Sequence, residues 1–150
     1  MGKTDNDRTM IRRLFDGAAR LIFRVGYAAM RPVWRVWKPR HNGVGILIRH
    51  EDQVLAVRHS YRPGYTIPGG GMNRREDPRQ TAVRELAEEL SITADPDQLV
   101  YKRYVYNTRL YELRLDRKPD IRIDHREIIE AQFMSPEEAM RRNPSFRRYI

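Results

Sequence analysis

The segment from Gly70 to Ile92 constrains the fold of this chain more than any other, because a glycine-rich stretch leads directly into an acidic helix. Proline suits the first turn of a helix, and PRQTAVRELAEEL from Pro78 to Leu90 therefore predicts a helix. Two β-like runs precede it, Gly43–Arg49 and Gln53–His59, joined by a polar turn. The sequence thus predicts a hairpin, a glycine-rich loop and a helix in that order.

Three glutamates of the predicted helix, Glu85, Glu88 and Glu89, share one face, since helical residues are about 100° apart. Like charges so close destabilise an isolated helix by a few tenths of a kcal/mol per pair. A hard divalent cation relieves that repulsion and can bridge substrate phosphates. The same residues also fit an ordinary solvated helix face. Gly70 and Glu76 in register with them favour a divalent-metal site.

The fixed positions are Gly70, five residues, Glu76, seven residues, and then RELAEELSI from Arg84 to Ile92. This arrangement resembles the Nudix box, which has glycine and glutamate at the same spacing. The box continues with arginine, glutamate, an aliphatic residue, any residue, two glutamates, any residue, glycine and an aliphatic residue. Every fixed position matches except the second glycine, where this chain has Ser91.

The resemblance implies a metal site and names its residues. Its ligands would be the Gly70 carbonyl, Glu85, Glu88 and Glu89, and its cation Mg²⁺, with Mn²⁺ as an alternative. The catalytic residues would be Glu85, Arg84 and Glu88, with Arg84 holding Glu76 or Glu85 in position. Glu85 is one candidate general base. Others lie on a later loop and strand: Asp116, Asp120, Asp124, Glu127 and Glu130, of which Glu127 and Glu130 are also candidate extra metal ligands.

The resemblance extends from about Gly43 to Ala139 and implies the α/β/α sandwich around a mixed β-sheet that the family shares. We expect a domain over residues 41–150. It would be a pyrophosphohydrolase that cleaves a phosphoanhydride bond in a nucleoside diphosphate linked to another group. A Nudix-fold module that binds nucleotides or regulates without catalysis is the alternative. Arg58 and Tyr65 are candidate substrate contacts.

Two departures from the family pattern have physical consequences. Ser91 replaces a glycine that would end the helix in a left-handed conformation, at a cost of about 1 kcal/mol. Arg75 stands where many relatives have glycine, and Arg74 precedes it. Both arginines are interpreted as solvated loop residues, with contact to a substrate phosphate as the alternative.

Residues 1–40 are predicted to be a separate basic extension. Their ten Lys and Arg against three Asp give +7 of the total charge of +9. Apolar positions from Arg8 to Met30 follow helical spacing, and arginines occupy the opposite side. This amphipathic helix could pack on the domain or on a second copy in a homodimer. Alternatively, with Trp34 and Trp37, it could lie on an anionic membrane surface. No specific nucleic-acid partner is expected.

The remaining composition excludes some chemistry. The chain has no cysteine, which excludes disulfides, thiolate metal ligands and cysteine nucleophiles, and which is compatible with the cytoplasmic location we expect. Its histidines show no metal-ligand spacing, so no zinc site is predicted; they are His41, His50, His59 and His125.

Overall fold

A computed structural model of the chain describes residues 16–19, 21–23, 25–26, 42–123 and 125–150. The strands are β1 (Gly43–His50), β2 (Gln53–His59), β3 (Tyr65–Thr66), β4 (Val100–Val105), β5 (Thr108–Arg114) and β6 (Ile128–Met134). The helices are α1 (Pro78–Leu90) and α2 (Pro136–Arg142), with 3-10 turns at Pro96–Gln98 and Pro144–Arg148.

The strands form a mixed sheet covered on both faces. Its order is β3-β2-β1-β5-β4, with β6 also paired to β2; β1 and β5 run parallel and the other paired strands antiparallel. On one face Leu86 of α1 packs in a buried cluster with Leu55 and Val57 of β2. On the other, Ala56 shares a cluster with Ala139 of α2. The predicted α/β/α sandwich is confirmed.

The glycine-rich loop is built into the sheet. Strands β1 and β2 pair only at the two residue pairs beside their connecting turn. Farther along β1 the loop takes the place of β2: Val44 N–H donates to the Gly70 carbonyl and Ile46 N–H to the Pro68 carbonyl, both at 2.9 Å. The loop that precedes α1 is therefore held as firmly as a short strand.

The bounds of α1 and β2 agree with the sequence prediction. The β-like runs Leu99–Asn107 and Leu110–Asp116 also predict a hairpin around Thr108. The hairpin is present as β4 and β5, but its turn comes one or two residues earlier. The chain reverses at Tyr106 and Asn107, with φ of 46° and 64°. Two consecutive residues with positive φ suit a two-residue turn whose twist matches the flanking strands, and asparagine tolerates this conformation.

Ser91 ends α1 in the left-handed conformation expected for the missing glycine, with φ 57° and ψ 29°. Its N–H donates to the Ala87 carbonyl, and Ile92 N–H donates to that of Leu86. Its hydroxyl donates to the Arg122 carbonyl at 3.1 Å. The serine offsets part of the backbone cost with a side-chain hydrogen bond that glycine lacks.

The other departure, Arg75, also stands where the backbone suits glycine, because its φ is positive, 69°; its side chain is exposed. Arg75→Gly should raise the free energy of unfolding by about 0.5–1 kcal/mol, since glycine adopts this conformation without strain. Urea denaturation at pH 7 measures the change. The matched control, Arg74→Gly, lies at a position without positive φ and should lower stability. Destabilisation of similar size in both variants would contradict the explanation.

The N-terminal extension is described at nine residues, all helical. Asp16 forms an ion pair with Arg126 at 3.5 Å, and the Phe23 ring lies 6.5 Å from that of Tyr61. The remainder of the helix predicted over Arg8–Met30, and the residues after it as far as His41, lie outside the described residues. Within the described part of the chain, no helix is both long and apolar enough to span a membrane.

Candidate active site

The start of α1 fixes where its glutamates lie. The Asp77 carboxylate caps the helix by accepting hydrogen bonds from the N–H groups of Arg79 (2.9 Å) and Gln80 (3.3 Å). Pro78 occupies the first helical position, where its missing N–H has no cost. Because the cap fixes where the first turn of α1 begins, it also fixes which side chains of the later turns point toward the glycine-rich loop.

Arg84 connects the acidic residues. Its Nε and Nη2 donate to the two oxygens of Glu76 at 2.9 and 3.2 Å. Its Nη1 lies 2.9 Å from Glu85 and 3.1 Å from Glu88. Its Nη2 also donates to the Gly71 carbonyl at 3.2 Å. The planar guanidinium, whose donors have fixed directions, thus positions three carboxylates and the loop at once.

Glu76 should make stability depend on pH. Hydrogen bonds from Arg84 and from the Asn73 N–H lower the pKa of Glu76 from about 4.5 to about 2. A lowered pKa in the folded state stabilises the protein above the unfolded pKa, and this contribution is lost as pH falls from about 4.5 through about 2. Glu76→Gln should therefore be less stable than the parent at pH 7, and the gap should close at low pH. Urea denaturation at pH 7 and pH 2.5 measures it; an equal gap at both would contradict it.

Glu85 lies tightly against Gly70. A Cβ built on Gly70 would be 2.4 Å from the Glu85 carboxylate, so a side chain there would push that carboxylate away. The Glu85 side chain is only 13% exposed, and burial raises its pKa despite the adjacent Arg84. A partly desolvated carboxylate packed against the Gly70 backbone suits a hard cation, since that cation prefers oxygen ligands and compensates the lost hydration.

Glu88 and Glu89 complete the predicted set in different surroundings. Glu89 is buried and accepts a hydrogen bond from the Gly69 N–H at 3.1 Å. Glu88 is exposed over 60% of its side chain. The Gly70 carbonyl accepts one hydrogen bond from Val44, and a carbonyl oxygen has a second lone pair for a cation. These oxygen donors fit a divalent metal ion.

Next to Glu89 the structure brings together His59, Tyr61 and Glu127, a group that the sequence did not predict. His59 ends β2 on the same sheet face as Leu55 and Val57, and therefore faces α1. A ligand atom from each of His59, Glu89 and Glu127 lies within 4.8 Å of the others. The phenol of Tyr61 donates to Glu127 at 2.9 Å. Strand alternation was the sequence signal that could have placed His59 here.

The predicted substrate contacts Arg58 and Tyr65 lie elsewhere. Arg58 precedes His59 in β2 and therefore lies on the opposite face of the sheet, where it forms an ion pair with Glu130 at 2.9 Å. The Tyr65 phenol also donates to Glu130 and accepts from Arg142 at 3.1 Å. Tyr65 packs in the cluster under α2, so this network is on the sheet face away from α1. The structure does not bring Arg58, Tyr65 or Glu130 to the glutamates of α1.

The other candidate bases are also separated from Gly70. Asp116 and Asp120 line a cavity of about 1140 Å³ beside Ser91, at the C-terminal end of α1. Asp120 forms an ion pair with Arg122 at 2.9 Å. Asp124 lies outside the described residues. Glu127 is thus the later carboxylate that the described structure brings to the buried side of α1.

A cleft of about 540 Å³ opens beside the loop, with Gly69, Gly70 and Gly71 in its wall. Tyr61 and Arg62 line it next to the Glu127 contact. Aromatic and basic side chains also line this cleft, among them Tyr106, Arg148 and Tyr149. Arg148 lies over the Tyr106 ring, 4.8 Å from its centroid. Arg58 and Tyr65 are not among the described residues that line this cleft.

The family model described as NUDIX domain matches residues 39–150. The chain belongs to the Nudix family. Divalent-metal dependence is typical of Nudix hydrolases.

Two curated Nudix relatives match the domain. An RNA pyrophosphohydrolase of Mannheimia succiniciproducens is 38% identical over 82 residues, covering 51% of this chain and 41% of that protein. Human diphosphoinositol polyphosphate phosphohydrolase 3-alpha is 33% identical over 84 residues, covering 49% and 51%. The match thus spans about half the length of these relatives or less.

A solved structure supports the fold. The bifunctional NMN adenylyltransferase/ADP ribose pyrophosphatase of Francisella tularensis, complexed with AMP and a manganese ion, superposes with a TM-score of 0.60 at 22% identity. The match covers 81% of this chain and 42% of that one.

Proposed function

We propose that this Nudix domain is a divalent-metal-dependent hydrolase that cleaves a phosphoanhydride bond in a nucleoside diphosphate linked to another group. The observation that carries the proposal is the half-buried Glu85 carboxylate, packed against Gly70 on one side and held by Arg84 on the other. Mg²⁺ is the proposed cation, with Mn²⁺ as an alternative. The names of the matched relatives support pyrophosphate cleavage.

The side chains have distinct proposed roles. Glu85, Glu88, Glu89 and the Gly70 carbonyl hold the cation, which when bound neutralises the carboxylates and polarises a phosphoryl oxygen. Arg84 is a positioning residue for Glu85, Glu88 and Glu76. Glu85 is the preferred general base, because burial raises its pKa toward the range in which a carboxylate accepts a proton effectively. Glu127 is the alternative base.

The cleft supports a nucleotide-derived substrate. Gly69 and Gly70 in its lining lie against the glutamates, where a diphosphate would lie, and Tyr106 and Tyr149 in its lining are available to stack on a base. Arg62 and Arg148 add positive charge to the same cleft. Catalysis is favoured over a silent module, because all three α1 glutamates of the box are present.

A substrate panel tests the proposal. It would contain nucleoside triphosphates, nucleotide sugars, dinucleoside polyphosphates and 5′-triphosphorylated RNA, each with Mg²⁺, with Mn²⁺ and with EDTA. We expect metal-dependent product from at least one class, identified by mass spectrometry. Absence of product from every class with both metals, in folded protein, would refute the hydrolase and leave the binding module.

We propose that residues 1–40 form an extension that packs on the domain and presents apolar side chains to a second copy. Asp16 and Phe23 provide the contacts to the domain. Leu21, Ile22 and Val25 are 62%, 71% and 58% exposed. Sedimentation velocity should detect a dimer that Ile22→Asp dissociates. Binding of a monomer to anionic vesicles, lost in the same variant, would replace the homodimer with a membrane surface.

A further inference from the structure

Within the described structure, His59 is a buried polar residue without a hydrogen-bond partner. The residue is only 2% exposed, and neither of its ring nitrogens forms a hydrogen bond there. Leaving a buried imidazole without a hydrogen bond is unfavourable, so native proteins seldom retain one without a reason.

The backbone directs this imidazole toward α1. Strand alternation places His59 on the same sheet face as Leu55 and Val57, which pack against α1. The pairing between β2 and β6 shifts register between Arg58 and His59, and the extra residue of this bulge, Ile129, lies on β6 two residues after Glu127.

A ligand atom of each of His59, Glu89 and Glu127 lies within 4.8 Å of the others. Three ligand atoms bound to one cation at about 2.1 Å are about 3.0–3.6 Å from one another. Each of the three atoms would therefore move by up to about 0.7 Å to enter one coordination sphere.

We infer that His59, Glu89 and Glu127 form a nitrogen-containing cation site that shares Glu89 with the proposed hydrolytic centre. The inference rests on the proposed function only through that shared carboxylate. Imidazole nitrogen suits later first-row cations such as Zn²⁺ best, Mn²⁺ also accepts it beside carboxylate ligands, and Mg²⁺ prefers oxygen ligands alone. The site therefore selects Mn²⁺ over Mg²⁺.

One feature of the surroundings agrees with this ligand set. The Tyr61 phenol donates to Glu127 at 2.9 Å, and such a hydrogen bond orients a ligating carboxylate.

Electron spin-echo envelope modulation of Mn²⁺ added to the metal-free full chain tests the site directly. We expect ¹⁴N coupling that changes to ¹⁵N coupling when the protein carries ¹⁵N-labelled histidine. His59→Gln retains an oxygen donor but should lose the coupling and weaken Mn²⁺ binding about tenfold or more, with Mg²⁺ binding much less affected. His50→Gln, at the opposite end of the hairpin, should keep the coupling.

Wild-type protein without nitrogen coupling overturns the inference, whatever the variants do. Coupling that persists in His59→Gln or disappears in His50→Gln also overturns it. If His59→Gln does not fold, isotope-sensitive coupling in the wild type and an anomalous Mn²⁺ peak beside His59 in a crystal decide the question. Mg²⁺-dependent hydrolysis without coupling would refute this site alone, whereas coupling without hydrolysis of any substrate would refute only the proposed function.

Discussion

Glu85→Gln is expected to lower kcat by a factor of about 10²–10⁴ on any substrate the panel identifies, the range typical for loss of a positioned acid or base. The amide has the shape of the carboxylate but neither its charge nor its basicity. Glu89→Gln and Glu88→Gln should also lower the rate by orders of magnitude, since each removes a proposed metal ligand. Initial rates at saturating Mg²⁺ measure the loss.

The stability of Glu85→Gln, unlike its activity, should not fall. Burial raises the pKa of Glu85, so its charged form is disfavoured in the metal-free folded state. Glu85→Gln should therefore be at least as stable as the parent in urea denaturation with EDTA at pH 7. Glu137→Gln, at an exposed position in the first turn of α2, is the control and should retain full activity. Unchanged activity in all three α1 variants would refute the assigned centre.

The second large effect is expected at Gly69. Its φ is 144°, and a Cβ there would lie 2.2 Å from the backbone oxygen of Val44. Neither the left-handed backbone nor a backbone atom can yield cheaply, so Gly69→Ala should lower the free energy of unfolding by about 3 kcal/mol or more. Thermal and urea denaturation measure the loss.

The next two glycines provide the matched comparison. Gly70→Ala places its Cβ against the movable Glu85 carboxylate, so we expect lower activity with a smaller loss of stability. Gly71→Ala has no atom within 4 Å of its Cβ and should affect neither property. A similar loss of stability in all three variants would show that general loop stiffening, not contact geometry, determines the result.

Local patterns predicted the parts of the fold that depend on local sequence. Pro78 in the first turn predicted where α1 begins, and the β-like run Gln53–His59 predicted the bounds of β2. Arg84 was expected to hold Glu76 or Glu85, which belong to the same motif, and it forms an ion pair with each of them.

Contacts between distant segments could not be predicted in the same way. His59, Glu89 and Glu127 come together through the β2–β6 bulge and the packing of α1 on the sheet, neither of which has a local signature. Arg58 and Glu130 pair across strands 72 residues apart, on the face away from α1. Alternation alone predicts that Arg58 and His59 lie on opposite faces of the sheet, but it does not predict which face lies against α1 and its glutamates.

The hydrogen bonds from Val44 and Ile46 to the glycine-rich loop have a consequence for the entropy of metal binding. A mobile loop would have to be ordered whenever a cation arrived, and that ordering would weaken affinity. Here the ordering occurs once, when the sheet folds, and every later binding event begins from a rigid backbone. The amides of Val44 and Ile46 should therefore exchange with deuterium as slowly in EDTA as with metal present.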